Sequence, residues 1–409
     1  MDVTAMHVIK ALKFGKVPHV GTRRLCVARE PEIAEFGNVL KYIAGGGFDS
    51  RYLRGDYGSG KTFMCSIVRE LAFEAGMVVS IVNLNREVPF GRRDLVLAEV
   101  LRGLRTVNSG SSCAMGEILE RWFYKYDPST PVEVNKELAE AIARVSSSDP
   151  GMAMGLRAYH RAMIDGNDIL MQGVVDWLRG ESIERDVRAA IKVVGKVSAE
   201  GAFRRLRAFC ALMRDAGYPG IVILIDEIEA VQRLSKPQRD AAYGSMREII
   251  DVGPVEFPYT LFLFAGTPPF FEDEFKGCAS YQPLWQRVRP QQVYSQRDLR
   301  QPIIRLEEFD GDALRMVSEK VRELHALAYD WDARERFPET SVRALIAAAG
   351  TKFGEVKQRP RAFLKALVDA LDARQQGLDV DLNAIVDEAK DTDTLSAAAL
   401  DDDVIEAAV

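Results

Sequence analysis

The sequence has few residues of the kinds that hold metals or disulfides. Only 5 of its 409 residues are cysteine and 4 are histidine. The cysteines lie far apart with no C-x-x-C pair, and the histidines lack the spacing of metal ligands. These absences disfavour a zinc site and a disulfide framework, and they indicate a reducing compartment.

Long hydrophobic runs and an excess of basic residues are missing too. No stretch approaches the roughly 20 apolar residues of a membrane-spanning helix, and residues 1–16 lack the apolar core of a secretory signal. The net charge is −6, whereas proteins that coat nucleic acid broadly are usually basic. We therefore expect a cytoplasmic protein with no membrane partner, in which any DNA or RNA contact comes from a local patch.

The sequence does contain short apolar runs set among amphipathic helices. They are too short for helices and rich in β-branched or aromatic residues, and they lie at 77–84, 221–225, 260–265 and 302–306. A fifth candidate strand, 51–54, leads into a glycine-rich turn. Apolar strands alternating with helices predict an α/β fold with a parallel five-stranded sheet flanked by helices.

Two regions carry only helical patterns. A single crossover needs one helix, but the interval between residues 85 and 220 has six amphipathic segments, at 93–106, 113–126, 132–147, 151–164, 168–179 and 198–215. Beyond residue 309, helical segments are predicted at 312–328, 341–349, 361–374 and 382–390. The expected organisation is therefore an N-terminal segment 1–50, a core 51–309 with a helical insertion at about 107–200, an all-helical lid 310–390, and an acidic, flexible tail 391–409.

One segment matches a phosphate-binding motif at every position. Residues 55–62 are G-D-Y-G-S-G-K-T, which fits G-x-x-x-x-G-K-[ST]. Glycines let backbone N–H groups point at phosphates, and the following helix adds the positive end of its dipole. Lys61 is expected to reach the β- and γ-phosphates of ATP, and Thr62 to ligate Mg²⁺. The predicted nucleotide contacts are Gly55, Asp56, Tyr57, Gly58, Ser59, Gly60, Lys61, Thr62 and Phe63.

Three residues at strand ends are candidates for the hydrolysis step. The strand 221–225 ends in Asp226 and Glu227, and we interpret Asp226 as the Mg²⁺ support and Glu227 as the group that polarises the attacking water. Thr267 follows the next apolar strand and is expected near the γ-phosphate and that water. The alternatives are an ordinary strand end and an ordinary turn threonine.

Three arginines are candidates for contacts with the transferring phosphoryl group. Arg287 and Arg289 lie in W-Q-R-V-R-P, and either could act across a subunit interface as an arginine finger. We favour Arg287; the alternative is a solvated basic turn. Arg361 opens a predicted helix, where a cation is misplaced unless it has an anionic partner, so it is expected to reach the γ-phosphate.

The segment Arg179–Arg214 is locally basic. Against four acidic residues it holds nine basic ones: Arg179, Arg185, Arg188, Lys192, Lys196, Arg204, Arg205, Arg207 and Arg214. One interpretation is a solvated helical face. The other is a patch that follows a phosphate backbone, which makes 179–214 the predicted DNA contact.

With these motifs the chain resembles the AAA+ ATPases, and within them the branch of origin-recognition and initiator ATPases. The stretch 27–32 (VAREPE) is similar to the V-G-R-E-x-E segment that lines the adenine pocket there, with Ala28 in place of glycine. The resemblance implies that Arg29, in the segment 1–50, contacts the nucleotide. Residues 82–89 (VNLNREVP) and 359–364 (RPRAFL) are similar to the ATP-binding proteins of BREX-type bacterial phage-defence systems, the BrxD-like group. The resemblance covers roughly residues 15 to 376.

This resemblance implies an enzyme that binds and hydrolyses ATP with Mg²⁺. It implies a homo-oligomer beside other defence-system proteins, which couples ATP turnover to remodelling or loading of a partner on DNA. The alternative is a slow nucleotide switch that binds a partner protein in its ATP state. A small-molecule kinase fits less well, because the sequence shows no arginine-rich lid.

Overall fold

The structure, a computed structural model, describes residues 1–110, 112–192, 197–290, 298–307, 311–353, 360–379 and 381–389. The chain forms two compact units. The sheet unit comprises Ala34–Arg54 and Leu71–Ile304, and the bundle unit comprises Met1–Ile33, Gly55–Glu70 and the described part of Arg305–Val409. The expected tail 391–409, Lys196 and Arg359 lie outside the described residues. The domain boundaries expected at residues 50, 309 and 390 stay predictions.

A sheet with the strand order β3-β2-β4-β5-β1-β6 forms the centre of the sheet unit. Its strands are β1 Phe48–Arg54, β2 Val78–Asn83, β3 Leu104–Arg105, β4 Ile221–Asp226, β5 Thr260–Gly266 and β6 Ile303–Arg305. Strands β2, β4, β5 and β1 are parallel neighbours, and β5 is buried along its whole length. This confirms the α/β class with a largely parallel sheet.

A sixth strand, β3, adds to the five expected. It pairs antiparallel with β2 through Val79 and Arg105. The predicted helix 93–106 was therefore wrong beyond Arg102, where the chain leaves the helix at Gly103 and turns into the edge strand. Because β3 has only two residues, the edge that it presents is short.

Helices pack around the sheet and form the insertion. Those within or entering the sheet unit are α2 Glu30–Ala44, α4 Arg93–Arg102, α5 Met115–Tyr124, α6 Lys136–Ser148, α7 Pro150–Ile164, α8 Asp168–Leu178, α9 Arg185–Ile191, α10 Ala199–Asp215, α11 Lys236–Glu256, α12 Pro268–Glu272 and α13 Gln282–Val288. The segments predicted for α5 to α8 and α10 are confirmed. The sequence interpretation had no helix at α9 or α11.

The bundle unit is helical. It contains α1 Val3–Lys13, the start of α3 Lys61–Glu74, α14 Gly311–Tyr329, α15 Ala333–Arg336, α16 Glu339–Phe353, α17 Pro360–Gln375 and helical residues 382–389. The C-terminal helices confirm the predicted helical lid, whereas α1 was not predicted. Short 3₁₀ turns complete the chain at Thr22–Leu25, Ile228–Arg233 and Cys278–Ser280.

A buried polar network fixes the helices of this bundle. The Nε2 atom of His325 lies 2.9 Å from Asp372 Oδ1, and Trp331 donates its indole N–H to His325 Nδ1 at 2.9 Å. Lys13 forms an ion pair with the same aspartate. The network thereby joins α1, α14 and α17 at a point where His325 is fully buried.

Candidate functional site

The loop between β1 and α3 requires glycine for steric reasons. Gly60 has φ +93°, a conformation that only glycine adopts without strain. At Gly55, an added Cβ would come within 2.1 Å of Ser59 Oγ. Ser59 is itself buried, and within the described chain its hydroxyl has no hydrogen-bond partner. The loop is therefore folded tightly around Gly55, Ser59 and Gly60.

The polar groups of this loop suit an anion. The backbone N–H groups of Gly58 and Gly60 donate to no acceptor among the described residues. The ammonium group of Lys61 lies against the same loop, where it donates to the carbonyls of Gly55 at 2.9 Å and Asp56 at 3.1 Å. Unpaired N–H groups beside a cation at a helix start form an anion-binding site, so the residues fit a phosphate chain.

Other predicted contacts surround the loop. Asp56 and Tyr57 are exposed, and the Lys61 ammonium lies 5.2 Å from the centre of the Tyr57 ring. Thr62 is partly exposed in the first turn of α3, and Phe63 packs against the bundle core. Helix α3 starts at Lys61 and is closed by Gly76 at φ +70°. A helix directly after the loop is what the sequence motif predicts.

Arg29 is buried and serves the protein backbone. It is 6% exposed, and its Nη1 donates to Glu32 Oε1 at 3.3 Å. Its Nη2 donates to the carbonyl of Ser59, inside the phosphate loop, at 3.3 Å and to the carbonyl of Glu307. The residue before it, Ala28, has φ +54°. That is a physical reason for the glycine that the resembling family has at this position.

The strand ends of the sheet unit gather the second set of predicted residues. In the parallel register, Ile225 of β4 lies beside Phe264 of β5, so Asp226 and Thr267 follow neighbouring strands at one edge. Strand β1 ends at the same edge, since Arg54 pairs with Gly266. Thr267 is 4% exposed, and although it caps α12 its hydroxyl makes no capping bond.

Glu227 has a strained backbone. Its φ is +59°, its side chain is exposed, and its N–H donates to Asp226 Oδ1 at 2.9 Å. A glutamate seldom adopts left-handed angles, and such strain concentrates at functional positions. The strain therefore points to Glu227 as a functional residue more directly than the sequence could.

Sequence analysis missed Asn83 as a site residue. It ends β2 and pairs in register with Asp226, with its side chain exposed at the same edge. A signal was present in the sequence, because Asn83 follows the apolar residues Ile81 and Val82, as Asp226 follows the apolar residues of β4. Its amide adds a donor and an acceptor beside the carboxylates.

The two candidate arginine fingers differ. Arg287, in α13, forms a two-pronged ion pair with Asp251 of α11, with Nη2 2.9 Å from Oδ2. Arg289 caps the same helix and is exposed, and its side chain forms no hydrogen bond or ion pair with the described residues. The structure thus holds Arg287 in place within its own chain and leaves Arg289 available.

Arg361 is exposed in the first turn of α17, which begins at Pro360. Within the described chain it makes no hydrogen bond or ion pair to the phosphate loop. Its expected contact with the γ-phosphate stays a prediction.

The segment 179–214 does not form one basic face. Arg179, Arg205, Arg207 and Arg214 are held by the chain's own carboxylates, a carbonyl and aromatic rings. The exposed basic residues are Arg185, Arg188, Lys192 and Arg204. Arg185 and Arg188 lie on α9, whose buried residues are Val187 and Ile191, and Lys192 is the C-terminal cap of that helix. The area available to a phosphate backbone is therefore smaller than the count of charges indicated.

Neither a membrane-spanning helix nor a metal-binding cluster occurs in the part of the chain that the structure describes. No helix there is long and apolar enough to cross a membrane. No group of three or more histidine, cysteine, aspartate or glutamate side chains in that part could hold a metal ion.

Comparison with known proteins gave a family and two structural likenesses. The model of the family described as "BREX system ATP-binding protein BrxC/D" matches residues 2–390. None of the curated proteins matches the sequence. Among solved structures, the chain is similar to the ORC2 protein of Aeropyrum pernix in ADPNP–ADP complexes, with 15% identity and a TM-score of 0.44 over 89% of this chain and 68% of that one. It is also similar to a Walker-type ATPase of Pyrococcus abyssi, with 10% identity and a TM-score of 0.46 over 94% and 77% of the two chains. Both TM-scores are low, so neither likeness adds to what the sheet order and the family match show.

Proposed function

The chain belongs to the family of BREX system ATP-binding proteins BrxC/D, and we propose that it hydrolyses the ATP that it binds. The family places it among P-loop ATPases of bacterial phage defence. The loop 55–62 carries the proposal, because its N–H groups and Lys61 suit a phosphate chain better than any protein partner.

The loop and the strand ends supply the groups that phosphoryl transfer needs. Lys61 balances charge on the β- and γ-phosphates, and Gly58 and Gly60 donate to phosphate oxygens. The Thr62 hydroxyl and the Asp226 carboxylate are hard oxygen ligands of the kind Mg²⁺ takes, and bound Mg²⁺ supplies positive charge to the phosphates.

Glu227 and Thr267 are assigned to the attacking water. Glu227 accepts its proton or orients it, and the strained backbone at Glu227 supports this assignment. Thr267 and Asn83 hydrogen-bond beside it at the same sheet edge. Arg361 contacts the γ-phosphate. Most of the rate then comes from positioning and charge stabilisation rather than covalent chemistry.

The proposal also includes assembly into an oligomer and a contact with DNA. An arginine from a neighbouring copy completes the site, and the two candidates make opposite demands. Arg287 must leave Asp251 to act in trans, whereas Arg289 can act without breaking an ion pair. The exposed face of α9, with Arg185, Arg188 and Lys192, provides the DNA contact. Turnover in the oligomer remodels or loads another defence protein on DNA.

The test is the ATPase rate per subunit against protein concentration, with and without duplex DNA. We expect the rate to rise with concentration and to fall at least about 100-fold in Glu227→Gln, which removes the water-activating carboxylate. Glu274→Gln, an exposed acid just after α12, is the matched control and should not change the rate. Arg287→Ala and Arg289→Ala should differ, and the variant with the lower rate identifies the finger.

Other outcomes are equally informative. A natural chain that binds ATP and turns it over slowly, at a rate independent of concentration and DNA, would instead be a nucleotide switch that presents its ATP form to a partner. A Glu227→Gln variant as active as the natural chain would remove Glu227 from the mechanism.

A further inference from the structure

We propose that Arg29 positions the phosphate loop and does not read the adenine base. The inference rests on the proposed function, since it concerns how the loop is prepared for phosphate. It assigns Arg29 a role that differs from the one its sequence resemblance implies.

The guanidinium group is directed at protein backbone. Nη2 donates to the carbonyls of Ser59 and Glu307, and Nη1 donates to the Glu32 carboxylate. Arg29 is 6% exposed and Glu32 is fully buried, so the cation lies between a buried anion and two carbonyl dipoles. A buried charge requires such partners, and moving the guanidinium toward a base would separate it from all three.

The contact with Ser59 fixes the direction of an N–H group in the loop. A trans peptide is planar, with its C=O and N–H pointing in opposite directions. Because Arg29 holds the carbonyl of Ser59, the N–H of Gly60 points away from Arg29. That N–H donates to no acceptor in the described chain. It is therefore available to a phosphate oxygen, and the bond to the cation polarises the same peptide and strengthens its N–H as a donor.

The arginine is itself fixed in place. Its carbonyl accepts from the N–H of Ile33 at 3.0 Å, which ties it to the first turn of α2. On its other side the chain turns at Ala28, whose φ is +54°. Glu307 lies two residues beyond β6, so one nitrogen joins the loop to the segment that leads toward α14. Arg29 thus connects three segments distant in sequence and has no freedom to follow a ligand.

The ratio of ATP affinity to GTP affinity distinguishes an Arg29 that positions the loop from one that recognises the base. Calorimetry on the full chain should compare ATP, GTP and inorganic tripolyphosphate for the natural protein, Arg29→Gln, Arg29→Lys and Arg24→Gln. Arg24 is the matched control, a partly exposed arginine of the same unit that pairs with Asp2. For Arg29→Gln we expect all three affinities to fall by about tenfold or more, with the ATP to GTP ratio unchanged. Arg29→Lys should recover part of the loss, and Arg24→Gln should bind as the natural chain does.

A second measurement, the chemical shift of the Gly60 amide proton, is needed in case Arg29→Gln folds poorly. In Arg29→Lys, which keeps the buried charge, the amide proton of Gly60 should shift on addition of tripolyphosphate less than it does in the natural chain. The proposal is overturned if Arg29→Gln loses discrimination between ATP and GTP while its tripolyphosphate affinity stays the same, because that pattern belongs to a base contact. If the natural chain binds none of the three ligands, the proposed function and this inference fail together. If it binds ATP but Arg29→Gln does not weaken the binding of all three ligands alike, this inference alone fails.

Discussion

Two segments of this chain carry sequence signals for phosphate, and the folded protein uses them differently. In the phosphate loop, the N–H groups of Gly58 and Gly60 have no acceptor among the described residues. In the basic segment 179–214, by contrast, five of the nine cations form ion pairs or hydrogen bonds within the chain. The loop motif specifies a backbone shape, which is local. A count of charges specifies nothing about the partners that tertiary structure brings to them.

Arg205 is the clearest case of a cation that serves the fold. Its Nε lies 2.6 Å from Asp149 Oδ2, and its guanidinium stacks 4.4 Å from the centre of the Trp177 ring. Asp149 also accepts from the N–H of Met152 and so caps α7. One ion pair thereby fastens α10 to the start of α7, at the Asp-Pro-Gly break in the sequence.

The largest effect we expect is therefore on stability. Arg205→Ala should lower the free energy of unfolding by about 3–5 kcal/mol, because it leaves the Asp149 charge buried without its partner. Arg204→Ala, one residue earlier and exposed, should change it by less than about 0.5 kcal/mol. Denaturant unfolding measures both. Equal stabilities of the two variants would show that Arg205 is as available to a ligand as Arg204, and the contrast between the two segments would be lost.

The next largest expected effect is on ATP affinity, and it tests whether the backbone shape of the phosphate loop defines the site. Gly60→Ala places a Cβ on a residue with φ +93°, and left-handed angles cost a non-glycine residue about 1–2 kcal/mol, so the loop should relax and ATP affinity should fall about tenfold. The control is Gly37→Ala in α2, where an added Cβ meets nothing within 4 Å. That change should leave ATP affinity unaltered and stabilise the helix by up to about 1 kcal/mol. ATP affinity that survives Gly60→Ala would mean that backbone shape does not define the site.

The difference between local and long-range information also explains which elements could be predicted from the sequence. The start of helix α3 after the loop and the apolar strands β4 and β5 follow from local patterns, and the structure has them where the sequence predicts them. Strand β3 was missed because a two-residue edge strand has no periodicity to detect. Helix α9 was missed because seven residues with two buried positions give too weak a pattern.

Within the site, the missing information is long-range. Arg29 contacts Glu307, which is 278 residues away in sequence, and Asn83 lies beside Asp226 only because β2 and β4 pair. Local composition does not show that Arg29 reaches Glu307, and it marks Asn83 only as a polar residue after apolar ones. The backbone strain at Glu227 is likewise a property of the turn after β4 and not of the amino-acid sequence of that turn.

A smaller effect concerns the residue before Arg29. Ala28 has φ +54°, so Ala28→Gly should relieve strain and raise the free energy of unfolding. Glycine also gains conformational entropy when unfolded, and the net stabilisation should be no more than about 1 kcal/mol. Thermal unfolding with and without ATP measures it. A destabilised Ala28→Gly would show that the Ala28 side chain contributes more than its backbone strain costs.

The smallest effect extends the comparison to two carboxylates one turn apart on α17. Burial alone would raise the pKa of Asp372, but hydrogen bonds from His325 and Lys13 outweigh it and hold that pKa below its usual value. Asp369 has no such bonds, and burial raises its pKa, with only partial opposition from the charges of Lys365 and Lys13. The two groups should therefore respond to pH with opposite signs.

At neutral pH the folded protein holds Asp369 ionised in a place that disfavours the charge. Asp369→Asn should raise the free energy of unfolding there by less than about 1 kcal/mol, since the site is partly solvated. The gain should shrink as the pH falls toward the unfolded pKa of about 3.9, because Asp369 then takes up a proton in the folded state. Asp372→Asn should instead destabilise at neutral pH, with a loss that diminishes only as the pH falls below about 3.9 toward the lowered folded pKa of Asp372. The measurement is the free energy of unfolding of the natural chain and the two variants at pH 7 and near pH 4.5. If both variants shift that free energy in the same direction, hydrogen-bond partners and burial do not set the sign of the effect. The contrast between charges with partners and charges without them would then fail within α17.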